Sequence, residues 1–254
     1  MAVKPIIFSG PMVRALLAGS KTQTRRVLKD VRDGEQYVEI KNGHWYALDC
    51  RSAANAIYRE FKAPFAVGDL LWVRETVKAV ERQDGSDGVT YLADDHWQPI
   101  PNTRAAAEAW TDLYGYRGKR GATVPPIHMP RWASRLTLEV TGVKVQRLQD
   151  ISEADVEAEG TEFANRPFGD WKLIPGIWDL AAIERGVEQL TEPPAAIKYA
   201  YLWNTINAEP GRRWADNPWV VAVTFAVHKA NVDGVVRAGA KRRADAQWQG
   251  AACS

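Results

Sequence analysis

The hydrophobic positions of the chain fall into a few strong segments separated by stretches without periodicity. "IIFSGPMVRALLAGSK" reads as a short strand and then a helix. Ser9 or Gly10 supplies the N-cap, Pro11 sits in the first turn where its missing N–H is not needed, Met12, Ala15 and Leu16 mark an apolar face, and Gly19 stops the helix. In "VGDLLWVRETV" the Gly68-Asp69 turn precedes a buried strand, Leu70 to Val73, whose end carries Arg74, Glu75 and Thr76. "RLTLEVTGVKVQRL" alternates cleanly and predicts a strand pair bent at Gly142. Asp150 or Ser152 as N-cap, Asp155 three residues after Ser152 and Gly160 as a stop predict a helix of about two turns ending at Glu159. "AIKYAYLWNTINA" has helical spacing, and "NPWVVAVTFAVH" is a closing strand.

Two stretches lack such patterns. Residues 80–126, rich in Asp, Gly, Pro and Arg, read as a long loop or insertion, and the Trp- and Pro-rich residues 161–197 as a second. Residues 231–254 are basic and poor in large apolar groups, which predicts a disordered tail on a folded part spanning 1–230. The order of elements predicts an α+β fold, a small mixed β-barrel with helices at its mouth. A doubly wound parallel sheet needs a regular alternation that is absent.

Charge changes this picture in one respect. The 254 residues, 46% of them hydrophobic, carry a net charge of +2, but residues 229–254 hold five Lys or Arg against two Asp, a local +3 that leaves the body at −1. The pI therefore says nothing about a nucleic-acid surface on the body, and any such site must be local. Cys50 and Cys253 are too few and too far apart for a disulfide framework. The N-terminal apolar run, Pro5 to Phe8, is too short for a signal peptide, and no stretch approaches about 20 apolar residues. These features predict a cytoplasmic protein with no membrane span.

The densest candidate chemistry is "GSKTQTRR", where Lys21, Arg25 and Arg26 alternate with Ser20, Thr22 and Thr24. A threonine hydroxyl is a poor nucleophile unless a base takes its proton, and a partly desolvated lysine can be neutral enough to do so. In a continuous strand, positions 21 and 24 would face opposite ways, so a Lys21–Thr24 pair requires a turn after Gly19. Glu159, in the last turn of its helix, meets the negative end of the helix dipole, which raises a carboxyl pKa and suits a general acid; the alternative is a plain helix-end glutamate beside Glu157. Arg74 can hold a phosphate or a base edge, and Glu75 can pair with Arg25 or Arg26 as scaffold. In "PPIHMPRWASR", Trp132 beside Arg131 can stack a base or pack a core, and His128 is a pocket or loop residue with no partners at metal-ligand spacing. No metal or cofactor is expected.

Five blocks in order, "FSGPMVRALLAGSKTQTRRV", "VGDLLWVRETV", "IHMPRWASRLTLEVTGVKVQRLQDISEADVEAEG", "LWNTIN" and "NPWVVAVTF", resemble the ASCH family, specifically its large phage and prophage branch, over roughly residues 4–228. The resemblance implies a PUA-like barrel with a helix-lined cleft, interrupted here by two insertions, in the cytoplasm of a bacterial host. Small members of the family are amidohydrolases that remove the acyl group from N4-acetylcytidine with a Lys, a Thr three residues later and a Glu on the short helix after the central strands. The matching positions are Lys21, Thr24 and Glu159, and Thr22, Arg25, Arg26, Arg74, Glu75, His128, Arg131 and Trp132 become candidate contacts to a nucleoside, RNA or DNA. Two other readings stay open. One is a non-catalytic nucleic-acid-binding module in which the same cations hold phosphates. The other is a phage protein whose insertions bind a host protein, marked by exposed tryptophans in residues 85–126 and 161–197.

Overall fold

The computed structural model describes residues 1–29, 35–41, 44–49, 58–160 and 195–251. In chain order the elements are β1 (Val3–Ile7), α1 (Gly10–Ala18), β2 (Gln23–Val27), β3 (Glu35–Lys41), β4 (His44–Asp49), β5 (Tyr58–Phe61), β6 (Leu70–Arg74), β7 (Val77–Glu81), β8 (Asp87–Tyr91), β9 (Trp97–Pro99), α2 (Arg104–Tyr114), β10 (Thr123–Val124), β11 (Thr137–Arg147), α3 (Glu153–Ala158), α4 (Ala195–Ile206), β12 (Trp219–His228) and α5 (Val232–Ala251). The fold is α+β. Its largest sheet has the strand order β1-β6-β11-β12-β2, an open series rather than the closed barrel expected from the element order. The chain divides into two units, the first comprising Met1–Ala18, Gly68–Val140 and Phe225–Ser254, the second Gly19–Val67 and Thr141–Thr224.

In the first unit β1 runs parallel to β6, with Val3 opposite Leu70 and Ile7 opposite Arg74, and β6 pairs antiparallel with the start of β11. The Asp69 carboxylate fastens this edge by accepting from Ala2 N–H at 2.7 Å and from Lys4 Nζ at 2.8 Å. Residues 80–126 are not a loop. Together with the start of β7 just before them they form β7 to β10, in the order β10-β7-β8-β9, with α2 packed on β7, around a core that includes Val77, Ala79, Val89, Tyr91, Trp110, Leu113 and Val124. Gly88 is required in that sheet: a Cβ there would lie 2.4 Å from the Trp97 ring, and Trp110 Nε1–H donates to Gly88 O at 2.8 Å.

The tail also departs from expectation, because residues from Val232 to Ala251 form a helix instead of a disordered segment. Its first turn is anchored. Asn231 Nδ2 donates to the carbonyls of Arg131, Trp132 and Ser134 at 2.9, 3.2 and 2.8 Å, Val232 is fully buried, and Asp233 pairs with Arg131 at 2.6 Å. Truncation after His228 is therefore expected to lower the melting temperature by roughly 5 °C or more, since partly buried carbonyls lose their donor and Val232 its buried place, whereas truncation after Ala240 leaves it nearly unchanged. A calorimetric scan of the two shortened chains checks this.

The second unit contains two pieces of sheet. β2 pairs antiparallel with β12, from Gln23 opposite Thr224 to Val27 opposite Val220. β3, β4 and β5 form an antiparallel three-stranded sheet between residues 35 and 61, a region where the sequence pattern indicated no element. β11 is one continuous strand of eleven residues that includes Gly142, where the sequence predicts a pair of strands. The helix before Glu159 is as the sequence predicts: Ser152 Oγ accepts from Asp155 N–H, the Asp155 carboxylate accepts from Ser152 N–H, and Gly160 follows with φ of 65°. The insertion expected at 161–197 lies outside the described residues up to 194; α4 begins at Ala195.

Candidate functional site

Gly19, with φ of 80°, turns the chain out of α1 at an angle an L-residue rarely adopts. The next residues run along α3: Thr22 N–H donates to Ala158 O at 2.8 Å, and Lys21 forms an isolated antiparallel bridge with Glu159. This bridge brings two chain segments 138 residues apart into one charged cluster. Lys21 is 0% exposed, and its Nζ donates to Glu159 Oε2 at 2.7 Å and to the Glu159 carbonyl at 2.9 Å. The other carboxylate oxygen, Oε1, accepts from Arg25 Nη1 at 3.1 Å and from the Tyr199 hydroxyl of α4 at 3.3 Å. Arg25 also donates through Nη2 to Asp155 Oδ2 at 2.9 Å and through Nη1 to Gln23 Oε1 at 2.5 Å. Asp155, which caps its own helix, thus holds a buried cation as well.

By Gln23 the chain is in strand, so the side chains of Thr24 and Arg26 leave the face that carries Gln23 and Arg25. Thr24 is buried and its Oγ1 accepts from Arg26 Nη1 at 2.8 Å. The turn needed for a Lys21–Thr24 pair is present at Gly19, but Lys21 is engaged by Glu159 and Thr24 by Arg26. Thr22 is exposed.

The energetics follow from burial. Removing water from the Lys21 ammonium lowers its pKa, and the neighbouring Glu159 charge opposes that shift without cancelling it. Burial, then the adjacent Glu159, raises the Tyr199 hydroxyl well above its ordinary value. For Asp155, hydrogen bonds from Gln23 and the charge of Arg25 outweigh the burial that would raise it, and its carboxyl is held low. Two cations, Lys21 and Arg25, meet two carboxylates, Asp155 and Glu159, so this side of the cluster is close to neutral, while Arg26 is turned to Thr24.

The first unit holds the remaining candidates, and here the expected partner of Glu75 is corrected. Glu75 pairs with Arg135 rather than with Arg25 or Arg26: Arg135 Nε donates to Oε1 at 2.8 Å and Nη2 to Oε2 at 2.9 Å, while the same guanidinium donates twice to Asp94 at 2.8 and 2.9 Å and lies 4.0 Å over the Tyr91 ring. Burial pushes the Glu75 carboxyl up, against the pull of Arg135. Every nitrogen of Arg135 is used, which makes this network a scaffold. Arg74 stacks on Trp72 at 5.2 Å and donates to the Ile127 carbonyl. His128 is exposed with its ring 5.3 Å from that of Tyr116, Arg131 is committed to Asp233, and Trp132 packs half-buried against the core of the four-stranded sheet. The exposed tryptophans expected of a protein-docking insertion are absent from residues 85–126: Trp110 is buried and Trp97 half-buried with Arg82 3.6 Å over its ring.

Among the described residues no group of three or more His, Cys, Asp or Glu side chains is placed to hold a metal ion, and no helix is long and apolar enough to cross a membrane. No family model, no curated protein and no solved structure matches the chain.

Sequence reasoning missed Asp155, Tyr199 and Arg135. Asp155 reads as a cap, Tyr199 lies within a segment of helical spacing, and Arg135 follows three residues after Trp132, whose pairing with Arg131 carries the stacking argument. None carries a local sign that its partner lies far away in sequence.

Proposed function

We propose that the second unit is an ASCH-type, PUA-like pocket that hydrolyses the exocyclic amide of an N4-acylated cytosine nucleoside. The observation that carries this reading is the buried Lys21–Glu159 pair. Burying a lysine with a glutamate costs several kcal/mol per ion before their attraction is counted, and an apolar pair of the same volume often serves stability as well or better. Clusters of this kind with displaced pKa values concentrate where proton transfer is needed.

In this reading the Thr24 hydroxyl attacks the acyl carbon. Arg26 donates into its oxygen, leaving the hydroxyl proton free to depart and stabilising the negative charge that develops. Because Thr24 touches neither Lys21 nor Glu159, a water beside it carries that proton to the Lys21–Glu159 pair, which delivers it to the leaving nitrogen as the C–N bond breaks. Water then cleaves the resulting threonyl ester, so one water is consumed and a carboxylic acid and the free cytosine nucleoside leave. The near-neutral charge of the cluster suits an uncharged ligand. The alternative, in which Lys21 and Arg25 grip phosphates, is disfavoured because both cations are buried and already neutralised by Glu159 and Asp155.

The test is to incubate the full chain with N4-acylated cytosine nucleosides of increasing acyl size, an N6-acylated adenosine and single-stranded RNA. Release of acid from at least one cytosine compound is expected. Tight RNA binding with no acid released from any compound contradicts the proposal.

A further inference from the structure

Two buried glutamines lie on one face of the second unit's sheet, and their circumstances differ completely. β11 lies beside β12, and its register is fixed at two points: a Cβ on Gly142 would be 3.5 Å from Thr224 Cβ, and Leu148 N–H donates to Pro218 O at 2.9 Å. Both pairs fit one antiparallel register, which sets Lys144 opposite Ala222 and Gln146 opposite Val220. Continuing to β2, Thr224, Ala222 and Val220 oppose Gln23, Arg25 and Val27. These nine positions, eight of them with side chains, share a face. The middle strand carries the short ones, Thr224, Ala222 and Val220, so it forms a floor between longer polar groups on either side.

On the β2 side Gln23 is fully used: Oε1 accepts from Arg25, and Nε2 donates to Asp155 and to Thr224 at 3.1 and 3.3 Å. On the β11 side Gln146 is 4% exposed, yet neither its Nε2 nor its Oε1 has a hydrogen-bond partner. Arg25 Nε, on the same face, is also buried and unpartnered. Among the described residues six buried side-chain nitrogens and oxygens lack a partner, and three of them are here. A buried polar group without a partner is costly, and few survive in folded proteins. Solvent reaches this face at Lys144, which is exposed.

We infer that Gln146 reads the edge of a nucleobase bound on this floor. Its amide offers one N–H donor and one carbonyl acceptor side by side, the complement of a base edge that places an exocyclic N–H next to an unprotonated ring nitrogen. In a cytosine, Nε2–H donates to the ring nitrogen and Oε1 accepts from the exocyclic N–H. An acyl group on that nitrogen leaves its single N–H in place, so the contact survives in the acylated nucleoside. Gln146 and Arg25 stand on the two outer strands of three, about 10 Å apart across the sheet and two residues apart along it, so the base spans the floor between them. This inference rests on the nucleoside reading of the site and adds the residue that selects the base.

The experiment compares native protein with Gln146→Leu and Gln146→Glu, using cytidine for binding, N4-acetylcytidine for turnover, and thermal melting for stability. Leucine removes an unsatisfied amide at similar volume, so its melting temperature is expected to equal or exceed that of the native chain. Its affinity for cytidine is expected to fall roughly 5- to 150-fold, the range for a bidentate base contact. KM for N4-acetylcytidine should rise with kcat little changed, the signature of binding shared by ground and transition states. Glutamate, which offers only acceptors, should bind cytidine no better than leucine does. A Gln146→Leu protein that melts several degrees lower and binds cytidine with native affinity overturns the inference and makes Gln146 a structural residue. Native cytidine binding that Gln146→Leu weakens, with no acid ever released, leaves Gln146 as base reader and removes the hydrolase. A native chain that binds no cytidine overturns the inference itself.

Discussion

Replacing Glu159 by glutamine is expected to slow release of acid from an N4-acylated cytosine nucleoside by roughly 100-fold or more, and to destabilise the folded chain by about 3–5 kcal/mol. The rate follows from the proton inventory: an amide side chain cannot take up and return the proton that the leaving nitrogen needs. The stability loss follows from what stays behind, since Lys21 and Arg25 are buried and both point at the carboxylate that the variant lacks. The two effects separate in the double variant Lys21→Met, Glu159→Gln, which removes the stranded ammonium along with its partner. It should recover much of the stability and none of the turnover. The pH dependence has a definite sign. The folded-state pKa of Lys21 is already below its unfolded value, so the unfolded chain binds more protons in the window beneath 10.5, and this group's contribution to stability rises with pH there. Without the Glu159 charge that pKa drops further and the window widens. The deficit of Glu159→Gln relative to native should therefore shrink as pH rises toward 10.5. A deficit that grows over that range, or one absent at every pH, contradicts the account of the cluster.

Arg135→Met is expected to be as damaging to stability, about 3–5 kcal/mol near pH 7.5, with no direct effect on the chemistry. Arg135 is the two-pronged partner of Glu75, which is 1% exposed, and it also holds Asp94 and covers the Tyr91 ring. Methionine fills part of the volume but leaves the Glu75 carboxyl in an apolar site. Burial already raises that carboxyl, and losing Arg135 removes the main opposing charge and hydrogen bonds. A raised folded-state pKa means stability that is present at low pH and lost as pH rises through it. The variant should thus lie closer to native at about pH 5 than at pH 7.5, and Glu75→Gln in the same chain should restore most of the loss. Denaturant unfolding at the two pH values decides the matter; a loss under about 1 kcal/mol, or one independent of pH, sinks it.

What the sequence made legible was local. The helix before Glu159 could be read because Ser152, Asp155 and Gly160 state its beginning and end within nine residues, and the strand at Leu70 because a turn and an apolar run adjoin. The four-stranded sheet could not: β7 to β10 are two to five residues long, and the core that holds them draws Met129 and Ala133 from a later stretch. The tail was misread from composition, since one asparagine donating to three carbonyls anchors it where large apolar residues are lacking. Lys21 and Thr24 stand out in the sequence as polar residues after a helix stop, but the contacts they make come from Glu159 and Arg26. Gln146 alternates in phase with Lys144, which is exposed, so nothing in the pattern marks it as buried.

The most direct test of the central claim, that the Lys21–Glu159 cluster acts on an acylated nucleobase, is the rate at which native and Lys21→Ala protein release acetate from N4-acetylcytidine. Both chains must first give the same far-ultraviolet circular dichroism, so that folding is held constant. The account predicts measurable release by the native chain and a rate lower by about 100-fold or more in Lys21→Ala. Equal rates in the two proteins, or no release by the native chain, would contradict it.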